Sequence, residues 1–329
     1  MQRRSAGGKR KSLLSTPQGV NVVAVGNANV DLLLYVEEAP APGWQVEALF
    51  FEKRPGGAAA NFAVAAAKLG AAASLLCCVG LDGEGEWLLR ELEKQSVNTS
   101  LALRVEAPTG FSVVVVDRRG ERAMVAYRGA NAFLSRAVER LAAPLKADWV
   151  HAASIKPDLA EAALSAVKRL GATTSYDPGG AVARMGFKKL SGALKHVDVL
   201  FLNEEEAAAL AGSGGGSELE RVRELVPLVV LKKGAKGSAA WLGGSFAEAP
   251  AFKVKVVDTT GAGDAFDAAF AYALNAHLEL REALLFANAC AGLKVSRRGA
   301  QSSPTLAETL DFLGSAGFAD IASKLRESF

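Results

Sequence analysis

The segment DTTGAGDAF, Asp258 to Phe266, places two glycines and an aspartate directly ahead of the run FDAAFAYAL. Glycine is a poor helix-interior residue, yet here it stands where an apolar helix begins. Gly261 and Gly263 carry no Cβ, so a ligand oxygen can come close to their amides. A helix starting at this point leaves its first N–H groups unpaired and adds a partial positive charge, which suits an anion. Asp264 falls in the first turn, in reach of a hydroxyl proton beside that anion hole. Transfer of a phosphoryl group needs such a combination, a placed base and fixed donors for the moving charge. The alternative is structural: Asp264 complements the helix dipole and the glycines form a tight turn.

Working outward, GGAAANFAVAAAKLGA, Gly56 to Ala71, is a second glycine pair feeding a helix. Asn61 is its only uncharged polar side chain, placed either to bond a polyhydroxy ligand or to make a helix-start hydrogen bond. VGNANVD ends a β-branched run at Gly26 and sets Asn29 and Asp31 two positions apart. Both can face the same way beyond a strand end, where ligands of parallel α/β sheets bind; Asx turns are the alternative.

From Ser135 onward helix and strand patterns alternate: SRAVERLAAPL, DWVHAAS, DLAEAALSAVKRLG, TTSYDP, VDVLFLNEEEAAALAG, LVPLVVLKKG and AAWLGG. That rhythm predicts right-handed βαβ crossovers and a doubly wound, mostly parallel sheet with helices on both faces. The C-terminal part reads as helices, ending in LAETLDFLGSAGFADIASKL. Two segments break the rhythm. APAPGWQVEALFFEKRPGG has Pro and Gly around a short strand, and TGFSVVVVDRRGERAMVAY reads as a β-hairpin turning at Asp117 to Gly120. The expected organisation is a basic, solvated tail over 1–17, an α/β core from 18–32, 53–107 and 129–329, and a small β-sheet lid from 33–52 and 108–128. GSGGGSELE reads as a flexible loop within the core.

A net charge of +3 is too small to indicate a nucleic-acid binder, and much of it lies in the tail at Arg3, Arg4, Lys9, Arg10 and Lys11. No apolar stretch approaches a membrane span, and the tail lacks the apolar segment of a signal peptide. Cys77, Cys78 and Cys290 fit neither a disulfide framework nor a zinc site, which points to a reduced, cytoplasmic setting.

The two glycine motifs, in this order and about 200 residues apart, resemble the paired signatures of the ribokinase-like (PfkB) carbohydrate kinases from Val20 to Phe312. The resemblance implies a kinase moving the γ-phosphate of ATP to a hydroxyl of a sugar, sugar acid or nucleoside, with Mg²⁺ as cofactor. Residue by residue, Asp264 resembles the catalytic base, and the amides of Gly261, Ala262 and Gly263 the anion hole. Asn203 and Glu206 of FLNEEEAAAL match the N-x-x-E element that helps hold magnesium through water; on its own NEEE is a charged helix start. LKKGAKGS matches the loop beside the ATP phosphates and ribose, with Gly234 and Gly237 in its turn and Lys232 either reaching a phosphate or exposed. Asn288 falls on the adenine-side helix, and Asp258, Thr260, Gly299 and Ser303 match ligands of a monovalent cation such as K⁺. Asn29, Asp31, Gly56, Gly57 and Asn61 match sugar contacts.

The substrate side departs from the family pattern. Ala58 and Ala59 replace the Lys-Gly of the ribokinase form G-G-K-G-A-N, and Ser154-Ile155-Lys156 lacks ribokinase's acidic sugar contact. Arg128 in Ala126-Tyr127-Arg128 matches an arginine of sugar-acid kinases, able to meet a carboxylate bidentately, but Asp177-Pro178-Gly179-Gly180-Ala181 lacks the second arginine. A nucleoside kinase is the alternative, with Leu49, Phe50 and Phe51 covering a base. Those side chains serve equally as lid packing or as the face of a homodimer. A non-catalytic binder of this fold is the third reading, and Asp264, Asn203 and Glu206 speak against it.

Overall fold

Continuous apolar runs such as Val22–Val25 and Val199–Leu202 have no polar face to offer water, so their strands must be covered on both sides. In the structure, a computed structural model describing residues 20–142, 146–212 and 216–327, they are. The basic tail lies outside the described residues.

The strands in chain order are β1 (Asn21–Gly26), β2 (Asn29–Val36), β3 (Ala48–Gly56), β4 (Ala72–Leu76) and β5 (Cys78–Gly80). They continue with β6 (Leu103–Val105), β7 (Phe111–Val116), β8 (Arg122–Tyr127), β9 (Trp149–Ala153) and β10 (Thr173–Asp177). The last are β11 (Val199–Asn203), β12 (Leu228–Lys232), β13 (Ser238–Leu242) and β14 (Ser245–Ala249). The main sheet has eight strands in the order β14-β13-β12-β11-β10-β9-β1-β4. It is parallel from β4 to β12 and antiparallel only at the β12-β13-β14 edge. Neighbouring residues divide between its faces: Phe201 joins one apolar cluster, while Leu200 and Leu202 join the other. The first face carries the helices Ala58–Lys68, Ala262–Asn275 and Leu280–Val295; the second carries Pro157–Arg169, Phe187–Leu194 and Glu204–Ala211. This is the doubly wound, mostly parallel arrangement the alternating pattern predicts.

The chain leaves β1 for β4 on one side of the sheet and later continues through β9 on the other. A crevice therefore opens beyond Gly26 and Ala153, where the connections diverge. Beyond that edge sits the second, four-stranded sheet, in the order β3-β2-β7-β8. Its β7-β8 hairpin turns at Asp117–Gly120, with Gly120 N–H donating to the Asp117 carbonyl at 2.9 Å. The small sheet takes in more chain than the sequence suggests. β2 begins at Asn29 rather than near 33 and β3 runs on to Gly56, because their antiparallel register pairs Asn29 with Gly56.

Two helix expectations need amending. The C-terminal segment forms two helices, Leu306–Ser315 and Ala319–Glu327, broken where Gly317 adopts φ 91°. Within GSGGGSELE, residues 213–215 lie outside the described residues, and Gly216–Leu225 is helical rather than loop.

Alanines allow close approach of the helices Ala58–Lys68 and Ala262–Asn275, which pack on each other under the main sheet. Phe62, fully buried, stacks on the His151 ring at 3.9 Å between centroids. Burial holds the His151 pKa down to about 3, so this imidazole is a neutral core group paired with Ser175 Oγ at 2.8 Å.

Candidate active site

The helix Ala262–Asn275 starts from Gly261, whose φ of 77° places it in the left-handed region. A Cβ there would also lie 2.4 Å from the Ala300 carbonyl oxygen, so both the turn and the neighbouring loop require glycine. Ala262 N–H donates back to Thr259 O at 3.2 Å and closes the turn. It is therefore not among the open donors, contrary to the sequence expectation. Among the described residues, the N–H groups of Gly261, Gly263 and Asp264 have no protein acceptor. Three amides remain for an anion at this helix start.

Asp264 meets the other glycine motif. Asn61 Nδ2 donates to Asp264 Oδ2 at 2.8 Å, across 203 residues of chain. The contact exists because Gly57, with φ 98°, turns the chain so that the helix Ala58–Lys68 starts beside Asp264. Burial raises the Asp264 pKa to about 6; the Asn61 hydrogen bond opposes the shift, and the charge of Asp177 adds to it. Asn61 Oδ1 is buried and has no protein partner.

Asn29 Oδ1 accepts from Asn131 Nδ2 at 2.8 Å, and Asn131 also donates to Ala28 O at 3.1 Å. Asp31 lies over Gly56, where a Cβ would stand 2.1 Å from Oδ2. Burial raises its pKa to about 6 against a hydrogen bond from Ser112. Arg128 is exposed, and its side chain makes no hydrogen bond or ion pair among the described residues. Asn29, Asp31, Gly56, Gly57 and Asn61 are thus linked through the β2-β3 pairing and the helix that follows it; Arg128 follows β8, with its carbonyl and the Asn29 Oδ1 both beside Gly110 and its side chain in the solvent.

Asn203 and Glu206 form a capping box at the end of β11. Asn203 Oδ1 accepts from Glu206 N–H at 2.8 Å, and Glu206 Oε2 accepts from Asn203 N–H at 2.9 Å. Burial raises the Glu206 pKa, and the nearby Asp177 carboxylate adds to the shift. Lys232 is not an exposed lysine. Its ammonium donates to Asp177 Oδ2 at 2.6 Å and to Asp267 Oδ1 at 3.0 Å. Burial opposes that charge, but the two carboxylates hold the lysine above its ordinary range. The same ammonium lies 3.3 Å from where a Cβ on Gly263 would be, so a fixed positive charge flanks the open amides. Gly234 and Gly237 frame a short 3₁₀ turn after β12. Asn288 is turned inward, donating to Ala249 O at 3.2 Å and Pro250 O at 3.1 Å, so its amide N–H groups hold the end of β14.

Magnesium has partial support in this donor set. Glu206 Oε2 is committed to the cap, leaving its second carboxylate oxygen, which suits a hydrated ion bound mainly through phosphates. No cluster of three or more His, Cys, Asp and Glu side chains able to hold a metal occurs among the described residues.

The residues matched to a monovalent cation are largely spoken for. Asp258 Oδ1 accepts from Arg122 Nη2 at 2.9 Å, Thr260 N–H at 3.0 Å and Thr260 Oγ1 at 2.8 Å. Its Oδ2 accepts from Gly299 N–H at 2.9 Å. Burial works to raise this carboxyl, but the hydrogen bonds outweigh it and hold the pKa well below the usual range. The Gly299 carbonyl accepts from the Ser302 hydroxyl at 2.7 Å, and the Asp258 carbonyl accepts from Lys294 Nζ at 2.8 Å. Among the described residues, Ser303 Oγ, buried without a partner, and the Thr260 and Ser303 carbonyls accept no hydrogen bond.

Residues 20–306 match the pfkB family carbohydrate kinases. The chain belongs to that family. This carbohydrate kinase is 35% identical over 302 residues to an ATP-dependent ribose-1-phosphate kinase of Halopiger xanaduensis, covering 89% of this chain and 98% of that one. Among solved structures it is similar to the ribokinase of Thermotoga maritima, with a TM-score of 0.79 at 32% identity over 90% of this chain and 99% of the other. It is also similar to the Methanocaldococcus jannaschii nucleoside kinase, with a TM-score of 0.79 at 27% identity over 91% and 100% of the two chains.

Several residues that the structure brings to this candidate site escape a reading of the sequence. Asp267 lies three positions after Asp264 and so near the same face of the helix, a signal that was available. Asp177 ends β10 just before Pro178, at the sheet edge where ligands bind. Lys294 is a lone lysine near the end of an apolar helix. Asn131 and Arg122 carry no local signal, since their roles come from contacts 102 and 136 residues away.

Proposed function

We propose that the protein transfers the γ-phosphate of ATP to a hydroxyl of a small sugar or sugar acid, with Asp264 as general base. The observation that carries this reading is the 2.8 Å bond from Asn61 to Asp264, which joins the residues expected to hold a polyol to the carboxylate expected to deprotonate it. With its pKa raised to about 6, Asp264 is mostly ionised at neutral pH yet basic enough to take a proton in the transition state.

The acceptor hydroxyl, held by Asn29, Asp31 and Asn61, gives its proton to Asp264 as its oxygen bonds to the γ-phosphorus. The bond from that phosphorus to the β-phosphate oxygen breaks, and ADP leaves with the electron pair. Gly261, Gly263 and Asp264 N–H groups donate to the oxygens of the moving group, each such donor being worth about 3 kcal/mol in comparable anion holes. The Lys232 ammonium, fixed between its carboxylates, adds positive potential from behind without leaving its place. Glu206 would hold a magnesium ion through water, and that ion would supply positive charge to the phosphates. The turn Gly234–Lys236 and the region of Asn288 flank the nucleotide.

The four-stranded sheet acts as a lid that excludes water once the acceptor is bound. Its exposed Leu49, Phe50 and Phe51 also suit a contact with a second copy. The same apolar face is what favours a nucleoside as the alternative acceptor.

The deciding experiment is a panel of acceptors with radiolabelled ATP: ribose and other free sugars, ribose 1-phosphate, sugar acids and nucleosides. Phosphorylation of a sugar or sugar acid at a rate well above nucleosides supports the reading. Preference for a nucleoside selects the alternative, and absence of turnover with every acceptor rejects both in favour of a binder.

A further inference from the structure

Lys294 is fully buried in the last turn of the helix Leu280–Val295, and its ammonium donates to the Asp258 carbonyl at 2.8 Å. An ammonium is removed from water at high cost unless oxygens and opposite charge receive it. Burial lowers the Lys294 pKa, and Asp258 opposes that shift: its carbonyl accepts the hydrogen bond and its carboxylate favours the charge. Other cations converge on the same two loops. Arg122 holds the Asp258 carboxylate and the Thr260 hydroxyl. The Arg54 guanidinium, paired with the Glu52 carboxylate, stands beside Gly299, 2.6 Å from where a Cβ would lie. Further along, Lys68 Nζ donates to Gln301 O at 2.7 Å.

An alkali metal ion bound to such loops would neutralise the carboxylate and gather carbonyl oxygens around itself. In this protein both tasks are already performed by side chains. The Asp258 carboxylate is satisfied by four donors, and its carbonyl and that of Gly299 are occupied. The unpartnered Ser303 hydroxyl and the Thr260 carbonyl are neutral oxygens, and the Lys294 ammonium already lies 2.8 Å from the Asp258 carbonyl oxygen. A further cation beside that carbonyl would meet the repulsion of the Lys294 ammonium, opposed by a carboxylate that already pairs with Arg122.

We propose that Lys294 stands in for a monovalent cation, so that this kinase fixes the Asp258–Thr260 turn and the Gly299–Ser303 loop internally and turns over without alkali metal ions. The proposal rests on the phosphotransfer reading. Lys294 is a positioning residue: it acts through the turn that sets the Gly261, Gly263 and Asp264 amides.

The test measures initial rates with the Tris salt of ATP in KCl, NaCl, CsCl or tetramethylammonium chloride at about 0.1 M, so that screening is equal throughout. ADP is quantified by chromatography, because a coupling enzyme brings its own cation requirement. Rates within about twofold across the salts are expected, and activation by about tenfold or more in K⁺ overturns the proposal. Melting temperature in the same salts gives a readout independent of turnover: a specific ion that binds the folded state raises it, by mass action. Equal melting temperatures are expected, and a rise peculiar to K⁺ overturns the proposal even if no acceptor is found; failure of turnover in every salt instead rejects the kinase reading. Lys294→Met completes the series. Lost activity that K⁺ or methylammonium partly restores supports the substitution. Full activity without added cation, or a loss that neither ion restores, counts against it. If that variant fails to fold, the wild-type salt series still decides.

Discussion

Replacing Asp264 with asparagine separates what the carboxylate does for catalysis from what it costs the fold. Burial holds its pKa at about 6 instead of 3.8. A raised pKa means that stability attributable to this group is complete below about pH 4 and is lost as pH rises through about 6. The shift of roughly two units corresponds to about 3 kcal/mol when fully expressed at neutral pH. Integrating the linkage relation between pH 5 and pH 8 leaves about 1.5 kcal/mol of that change within an accessible window. Asp264→Asn has no such titration, and its amide oxygen can still accept from Asn61. Its stability relative to wild type is therefore expected to rise by about 1.5 kcal/mol from pH 5 to pH 8, read by urea unfolding at each pH. Subtracting wild type from variant cancels the other groups that titrate in this range. The same substitution should leave ATP binding intact and lower kcat by about 10²- to 10⁴-fold, the usual loss of a general base. In the wild type, kcat/KM should fall tenfold per pH unit below about 6. A stability difference that is flat with pH, or falls as pH rises, refutes the burial argument; retained turnover refutes the base assignment.

Asn61→Ala removes the hydrogen bond that holds the Asp264 pKa down, so the acid limb of kcat/KM should move up by as much as ~1 pH unit, with lower kcat. An unmoved or lowered limb would sever the two motifs functionally. Light scattering is expected to give twice the 34.2 kDa chain mass, and Leu49→Asp with Phe51→Asp should return the monomer mass. A wild-type monomer at about 50 μM, a concentration at which even a micromolar dimer is mostly assembled, would sink the paired-lid proposal.

The sequence is legible where a feature is local. The start of the helix at Gly261 is such a case, since a helix start and missing Cβ atoms at Gly261 and Gly263 can be read from neighbouring letters. The α/β alternation is another, because periodicity and turn residues report burial directly. Even so, the turn closed by Ala262 N–H was hidden in the same letters, since which amide bonds back depends on a dihedral choice that Gly261 leaves open. Helix caps were harder. NEEE allowed both a cap and a metal-linked role, and the structure adds the cap without removing the second carboxylate oxygen. Charge states were not legible, because they depend on partners far away in sequence.

Lys232 shows why that matters for chemistry. Read alone, it is a cation on a loop; in the fold its partners Asp177 and Asp267 stand 55 and 35 residues away. Asp177 raises the pKa of Asp264 and Lys232 lowers it, so as a close ion pair they largely cancel. What remains is burial, opposed by the hydrogen bond from Asn61. An unpaired Lys232 would pull the Asp264 pKa down, and an unpaired Asp177 would push it up. The ion pair thus lets the packing of the two alanine-rich helices set the basicity of Asp264, and it does so while keeping an ammonium beside the amides of the helix start.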